Sequence, residues 1–365
     1  VRYLDEYQDG HLARRLVERI HRISTRKIRL MEFCGGHTAA ILRYGIRGLM
    51  PETIQLLSGP GCPVCVTHNA ELDRAIAIAR LPGVTIATFG DMFKVPASRS
   101  SLQQLKAEGA DVRMVYSALD ALNLAREHPD RSVVFLGVGF ETTAPGVAAS
   151  ILEAEAEGLE NYFVLSMHKL TPPATRAILD SGEVELNGIL GPGHVTTVIG
   201  SRAWEFLARE YHLPCVVAGF QPVDILQGIG MLVEQLEEGR AEVGIAYRRS
   251  VKPEGNPHAL ALMDRVFEVT DALWRGFGLL PQSGLKLRER YARFDAGLAF
   301  PVEVEPPREV KGCRCGEVLR AVATPLDCPL FGSPCTPRRP LGPCMVSSEG
   351  ACAAYYHYGE GGKDG

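Results

Sequence analysis

Residues 27–46 read KIRLMEFCGGHTAAILRYGI: an apolar β-rich run, a glycine loop carrying a cysteine, then a helical run. The same unit recurs down the chain. Further strand-like runs are TIQLLS (53–58), VTIATF (84–89), VRMVYS (112–117), SVVFLGV (132–138), YFVLSM (162–167), NGILG (187–191) and PCVVAGF (214–220). Helical stretches lie between many of them, such as THNAELDRAIAIARL (67–81) and APGVAASILEAEAEG (144–158). Near-continuous apolar strands separated by helices indicate parallel sheets covered on both faces. Eight strands fit either one closed barrel or two open sheets. We read two four-stranded α/β domains, 25–129 and 130–250, divided in HPDRS (128–132).

Working outward, residues 1–24 read as a charged amphipathic helix packing on the other domains, with Leu12, Leu16, Ile20 and Ile23 on one stripe. Residues 256–277, NPHALALMDRVFEVTDALWRGF, read as another amphipathic helix. From about 280 the chain turns rich in Pro, Gly and Cys with little periodicity. Residues 251–365 are therefore expected to be a helical and Cys-rich third domain, held by a metal rather than by an apolar core.

Composition limits the function classes. The 365 residues carry a formal net charge of −4, which leaves no basic footprint for nucleic acid. No apolar run approaches the roughly 18 residues needed to span a bilayer, so no membrane partner is expected. The N-terminal stretch lacks the apolar centre of a secretory signal, so the expected location is cytoplasmic. Ten cysteines in such a chain point to metal binding or thiol chemistry rather than disulfide staples.

The unusual residues collect where strands end, which is where open α/β sheets bind ligands. Cys62-Pro63-Val64-Cys65 stands between a strand and a helix. A helix N-terminus there would favour a thiolate, and Pro63 suits the first helical turn. A redox pair, half a zinc site or two packed cysteines all fit that spacing. Cys34 opens Cys-Gly-Gly-His-Thr at the same kind of junction. There the glycines permit close backbone approach, Thr38 is a candidate cap, and His37 is a candidate ligand or proton carrier. Glu141, His168 and His194 are polar groups on the expected rim, as acid–base groups or as loop hydrogen-bonders. No phosphate-cradling glycine motif is present.

The later cysteines are Cys313, Cys315, Cys328, Cys335, Cys344 and Cys352, with Cys215 alone before them. No C-x2-C knuckle appears, so structural zinc lacks its commonest signature. Neither ferredoxin spacing appears. Spacing alone does not choose four ligands from six. Gly and Pro around most of the set suit a backbone wrapped closely about a cluster, and iron–sulfur is preferred to zinc.

Taken together, MEFCGGHT (31–38), GPGCPVCVT (59–67), GDMFKVP (90–96), GFETTAP (139–145), GPGHV (191–195) and PLGPCMVSSEGACAAYY (340–356) resemble the HypD family of hydrogenase maturation factors, over residues 26–358. The resemblance implies two related open parallel-sheet α/β domains and a small irregular iron–sulfur region. It implies a scaffold for the Fe(CN)2CO group of [NiFe]-hydrogenase. The family's C-x14-C-x6-C-x16-C pattern for a [4Fe-4S] cluster falls on Cys313, Cys328, Cys335 and Cys352, leaving Cys315 and Cys344 outside. Cys34 matches the cysteine that holds the iron under assembly, and Cys62 and Cys65 match a redox pair. The implied partners are the small chaperone HypC, the cyanide donor HypE and, indirectly, the hydrogenase large subunit. One departure is Gln221, in Gly219-Phe220-Gln221-Pro222, where a glutamate is expected. His37 and Glu141 are candidates for moving protons. A competing reading is an iron–sulfur-dependent thiol–disulfide oxidoreductase acting on protein disulfides, which leaves CGGHT unexplained.

Overall fold

The computed structural model describes residues 9–359. All eight expected strands form: β1 (Ile28–Glu32), β2 (Ile54–Ser58), β3 (Val84–Thr88), β4 (Asp111–Met114), β5 (Ser132–Gly137), β6 (Tyr162–Ser166), β7 (Gly188–Pro192) and β8 (Cys215–Ala218). A short β9 (Val243–Ile245) and a long pair, β10 (Phe267–Trp274) and β11 (Gly278–Leu287), were not anticipated.

The strands make two open parallel sheets, in the orders β2-β1-β7-β8-β9 and β4-β3-β5-β6. Central strands β3, β7 and β8 are buried along their whole length, as strands covered on both faces must be. Counted within each sheet, both orders run second, first, third, fourth. The two domains are thus related in topology.

The chain does not build one sheet and then the other. It lays down β1 and β2, makes the whole four-stranded sheet, and returns for β7, β8 and β9. A boundary at 128–132 would separate β3 from β5, which pair from Val84↔Ser132 to Ala87↔Phe135. The sequence could not show this. Every strand carries the same apolar pattern, and sheet membership is settled by which edges meet.

The expected helix over 256–277 is corrected too. A helix covers only Pro257–Val266, and from Phe267 the chain extends into the antiparallel β10–β11 pair. The hairpin packs on the four-stranded domain and reaches the CxxC turn. Leu170 N–H donates to Ser283 O at 2.9 Å on one side, and Arg275 N–H donates to Val66 O at 2.8 Å on the other.

The first described helix is Gly10–Ile23, capped by Asp9, whose carboxylate accepts from His11 N–H at 2.7 Å. It packs on Pro222–Glu237 through Ile20, while Leu12 stays exposed. Residues 1–8 of the expected N-terminal helix lie outside the described residues. Among the described residues, no helix is long and apolar enough to cross a membrane.

Candidate functional site

In an open parallel sheet the ligand crevice lies beyond the carboxyl ends of the strands where the order reverses. In the five-stranded sheet that point falls between β1 and β7. Cys34 follows β1, and His194 follows β7. Cys34 is the N-cap of the Gly35–Arg43 helix, and Thr38 is not its cap. The Thr38 hydroxyl instead donates to the Glu32 carboxylate, which also accepts from Cys34 N–H at 3.2 Å. Burial pushes Glu32 up to about 8 despite these hydrogen bonds.

The CxxC loop interlocks with this one. Gly35 N–H donates to Gly61 O at 2.9 Å. A Cβ on Gly61 would stand 2.3 Å from the backbone N and Cα of Cys34, so only glycine allows this approach. Cys62 and Cys65 are joined as a disulfide, with Cα atoms 5.2 Å apart. Both are buried. The helix they bracket, Pro63–Val66, is a single turn, so the dipole expected to favour a thiolate is short.

Cys34 is partly accessible, yet the enclosing crevice pushes its thiol up to about 12, with the Glu349 carboxylate adding to the effect. Glu349 reaches the site from the far end of the chain, and its backbone carbonyl would stand 2.4 Å from a Cβ on Gly35, so only glycine fits there. Asp91, after β3, accepts from Ser347 Oγ at 2.8 Å and ties this C-terminal loop down. Neither Asp91, Glu349 nor Glu32 was singled out from sequence. The available signals were a carboxylate ending an apolar strand, for Glu32, and two acidic residues inside the quoted motifs.

His37 is fully buried, and burial lowers it to about 4. Its Nε2 lies 2.9 Å from Gly219 O. A carbonyl only accepts, so Nε2 carries the proton and Nδ1 is a bare acceptor, without a partner among the described residues. The ring stacks on Phe220 at 4.7 Å, and His194 stacks on Phe220 at 3.9 Å. The turn holding Phe220 is braced by Asp224, whose carboxylate accepts from Gln221 N–H at 3.3 Å and from both Arg249 Nη atoms. Gln221 occupies the N-cap of Pro222–Glu237.

Glu141 and His168 stand at the ends of the other sheet. The Glu141 carboxylate accepts from Thr171 N–H at 2.8 Å and from the Thr171 hydroxyl, and burial raises it to about 7. His168 Nδ1 donates to Ser166 Oγ at 3.0 Å, since that hydroxyl gives its own proton to Leu285 O. These residues read as buried loop anchors. Cys215 lies inside β8, where burial raises its thiol to about 12.

The Cys-rich segment packs directly on the CxxC turn. Pro63–Val66 touches both the Cys315–Leu319 helix and the Pro343–Met345 turn. Cys62, Cys65, Cys315, Cys335, Cys344 and Cys352 belong to one buried cluster of side chains. The Cys315 thiol is within hydrogen-bonding reach of Cys313, Cys344 and Cys352. A hydrogen bond from Cys315 lowers Cys313 to about 6. Cys328 and Cys335 border this group on the Cys313 side. Cys315 and Cys344 thus touch the thiols that the resemblance assigns to the cluster.

Among the described residues no three such side chains stand as a closed metal site. Three features nonetheless fit a thiolate-bound iron–sulfur group. The donors are soft sulfurs. A Cβ on Gly342 would lie 2.7 and 3.1 Å from the Cys315 and Cys313 sulfurs, so glycine leaves the room there. The buried Arg275 guanidinium faces the same thiols with its Nε unpartnered.

The chain matches the HypD family model, described as hydrogenase formation hypA family, over residues 11–359. It is 52% identical to hydrogenase maturation factor HypD of Azotobacter vinelandii, across 98% of this chain and 97% of that one. It is 51% identical to hydrogenase expression/formation protein HupD of Azotobacter chroococcum, with the same coverage. Against hydrogenase maturation factor HypD of Escherichia coli K12 the identity is 43%, covering 98% of each chain. Matches of this depth over nearly the whole length, on a fold that brings Cys34 beside the CxxC loop, mean that the chain belongs to the HypD family of hydrogenase maturation factors.

Proposed function

We propose that this chain is the scaffold on which the Fe(CN)2CO group of [NiFe]-hydrogenase is built for the large subunit. Cys34 holds the iron together with a HypC-type chaperone, and Cys62 and Cys65 release cyanide to that iron from the thiocyanate of a HypE-type donor. The observation that carries this reading is the interlock of the two strand-end loops. Gly61, the residue before Cys62, packs against the Cys34 backbone, so the loop of an iron-holding thiol meets the loop of a redox pair.

Burial and Glu349 keep Cys34 protonated in the free chain. Ferrous iron, the substrate here, supplies the missing positive charge, and the thiol proton leaves as sulfur ligates it. His37 stays neutral, fixed in one tautomer by Gly219, and offers Nδ1 only as an acceptor.

Cyanide release balances through the thiol pair. One thiolate of the reduced pair attacks the sulfur of the donor's R–S–C≡N. A mixed disulfide R–S–S–Cys forms, and cyanide leaves with the electrons of its bond to sulfur and is captured by the iron. The second thiolate of the pair then displaces R–S⁻ and closes the Cys62–Cys65 disulfide. The pair has given two electrons and must regain them before the next cyanide.

A [4Fe-4S] cluster on Cys313, Cys328, Cys335 and Cys352, recharged by an external donor, would supply those electrons singly. The chain's part is to hold the CxxC turn against the segments carrying Cys315 and Cys344.

The test is anaerobic co-purification with the HypC-type chaperone. Cys34→Ala is expected to lose nearly all of the cyanide and carbonyl infrared bands while keeping the visible absorbance of the cluster. Retention of those bands by the variant would overturn the iron assignment.

A further inference from the structure

Arg275 lies just beyond β10, at the turn into β11, and is 5% exposed. Its Nη2 donates to Thr67 O at 3.0 Å and to Asn69 Oδ1 at 2.7 Å, both neutral and both directly after Cys65. Its nearest carboxylate, Glu309, is 3.7 Å from Nη1 but 61% exposed. Nε is buried and unpartnered among the described residues. The residue lines a small cavity together with Cys313, Cys315 and Gly342. The turn itself is pinned there, because Gly276 packs on the backbone of Gly316 and its carbonyl accepts from Arg320.

A guanidinium cannot shed its charge, and burying it without an anion is costly. Its hydrogen bonds to neutral oxygens leave the charge intact. Glu309, the carboxylate beside it, is 61% exposed and offsets that charge only in part. The uncompensated field therefore points into the enclosed thiol cluster, where a low dielectric lets it act strongly.

We propose that Arg275 tunes the reduction potential of the iron–sulfur centre held by the Cys-rich segment, raising it by favouring the state with one more electron. This rests on the cluster reading given above. The same side chain is tied to Thr67 and Asn69, just past the Cys62–Cys65 disulfide, so the charge is held beside the thiol cavity and close to that turn. Arg275 is a positioning and tuning residue that need not touch the cyanide donor or the iron under assembly.

The experiment uses the full chain purified anaerobically. Iron content and visible absorbance come first, followed by potentiometric titration monitored by electron paramagnetic resonance. Arg275→Gln is expected to lower the midpoint potential, and Arg275→Lys to hold it near the parent value. Glu309→Lys, at an exposed position, is expected to raise it. An unmoved potential in Arg275→Gln overturns the inference. So does an equal shift in the Gln and Lys variants, which would mean shape rather than charge. Should Arg275→Gln not fold, an unmoved potential in Glu309→Lys is decisive against it. A parent chain without iron overturns the cluster reading and this inference together, whereas a loaded parent with unresponsive potentials overturns this inference alone.

Discussion

Glu141 shows how one buried group writes itself into stability. Its carboxyl is held at about 7 against an ordinary 4.5, because burial outweighs the Thr171 hydrogen bonds. The folded chain thus keeps this proton more tightly than the unfolded chain does. The stability it contributes is complete below pH 4.5 and is lost as pH rises through 7, on the order of 3 kcal/mol in all. Glu141→Gln keeps the acceptor and the shape but cannot titrate. Denaturant unfolding at pH 5 and pH 8 should show the parent losing stability relative to this variant, and parallel profiles would contradict the assignment. His37 works in the opposite direction. With its value lowered to about 4, its contribution is complete above 6.5 and is lost as pH falls through 4. The strand-end position of Cys34 and His37 was legible in CGGHT. The placement of Phe220 was not, since a phenylalanine between two imidazoles 183 and 26 residues away leaves no local pattern.

Between elements, the close approach of the β1 and β2 loops is the critical fit. A methyl on Gly61 would meet Cys34 backbone, which cannot swing aside as a side-chain tip can. Gly61→Ala should therefore cost about 1–3 kcal/mol, the usual range for forced overpacking. It should also part the two thiol loops. Unfolding midpoints give the first effect, and the alkylation rate of Cys34 gives the second. A variant with unchanged stability and unchanged Cys34 reactivity would show that the interlock is not required. At this scale the eight strands could be read because each pairs a β-rich apolar run with a loop and a helix. The hairpin could not. Residues 256–277 carry apolar groups at helical spacing, but 267–274 find a partner strand in 278–287, and that long-range pairing overrides local preference.

Across the whole molecule, the segment after the CxxC turn is fastened to the four-stranded domain by more than the chain itself. Lys169, on the loop after β6, is 1% exposed, and its Nζ donates to Glu71 Oε1 at 2.6 Å. Glu71 belongs to the Asn69–Ala79 helix that follows the CxxC turn. The pair therefore ties the loop after β6 to the helix that follows the CxxC turn. Removing one member of a fully buried pair costs roughly 3–5 kcal/mol, but Glu71 is 21% exposed and regains some hydration. Lys169→Met should cost about 1–3 kcal/mol, and the double variant with Glu71→Leu should recover part of it. A double-mutant cycle by chemical denaturation measures this, and zero coupling would mean that the pair contributes nothing to holding that segment.

By itself, the sequence determined the α/β class, the strand-end position of Cys34, Cys62 and Cys65, and the family, because these live in local runs and short motifs. Tertiary structure alone decided that β1 and β2 share a sheet with β7–β9, and that Glu349 and Asp91 close the Cys34 crevice from distant parts of the chain. It alone set a buried Arg275 against both the segment after the CxxC turn and the cavity of Cys313 and Cys315. The physical reason is common to all three. Hydrophobic periodicity states which face of an element is buried but not against what, and charges act over distances in space that separation along the chain does not encode.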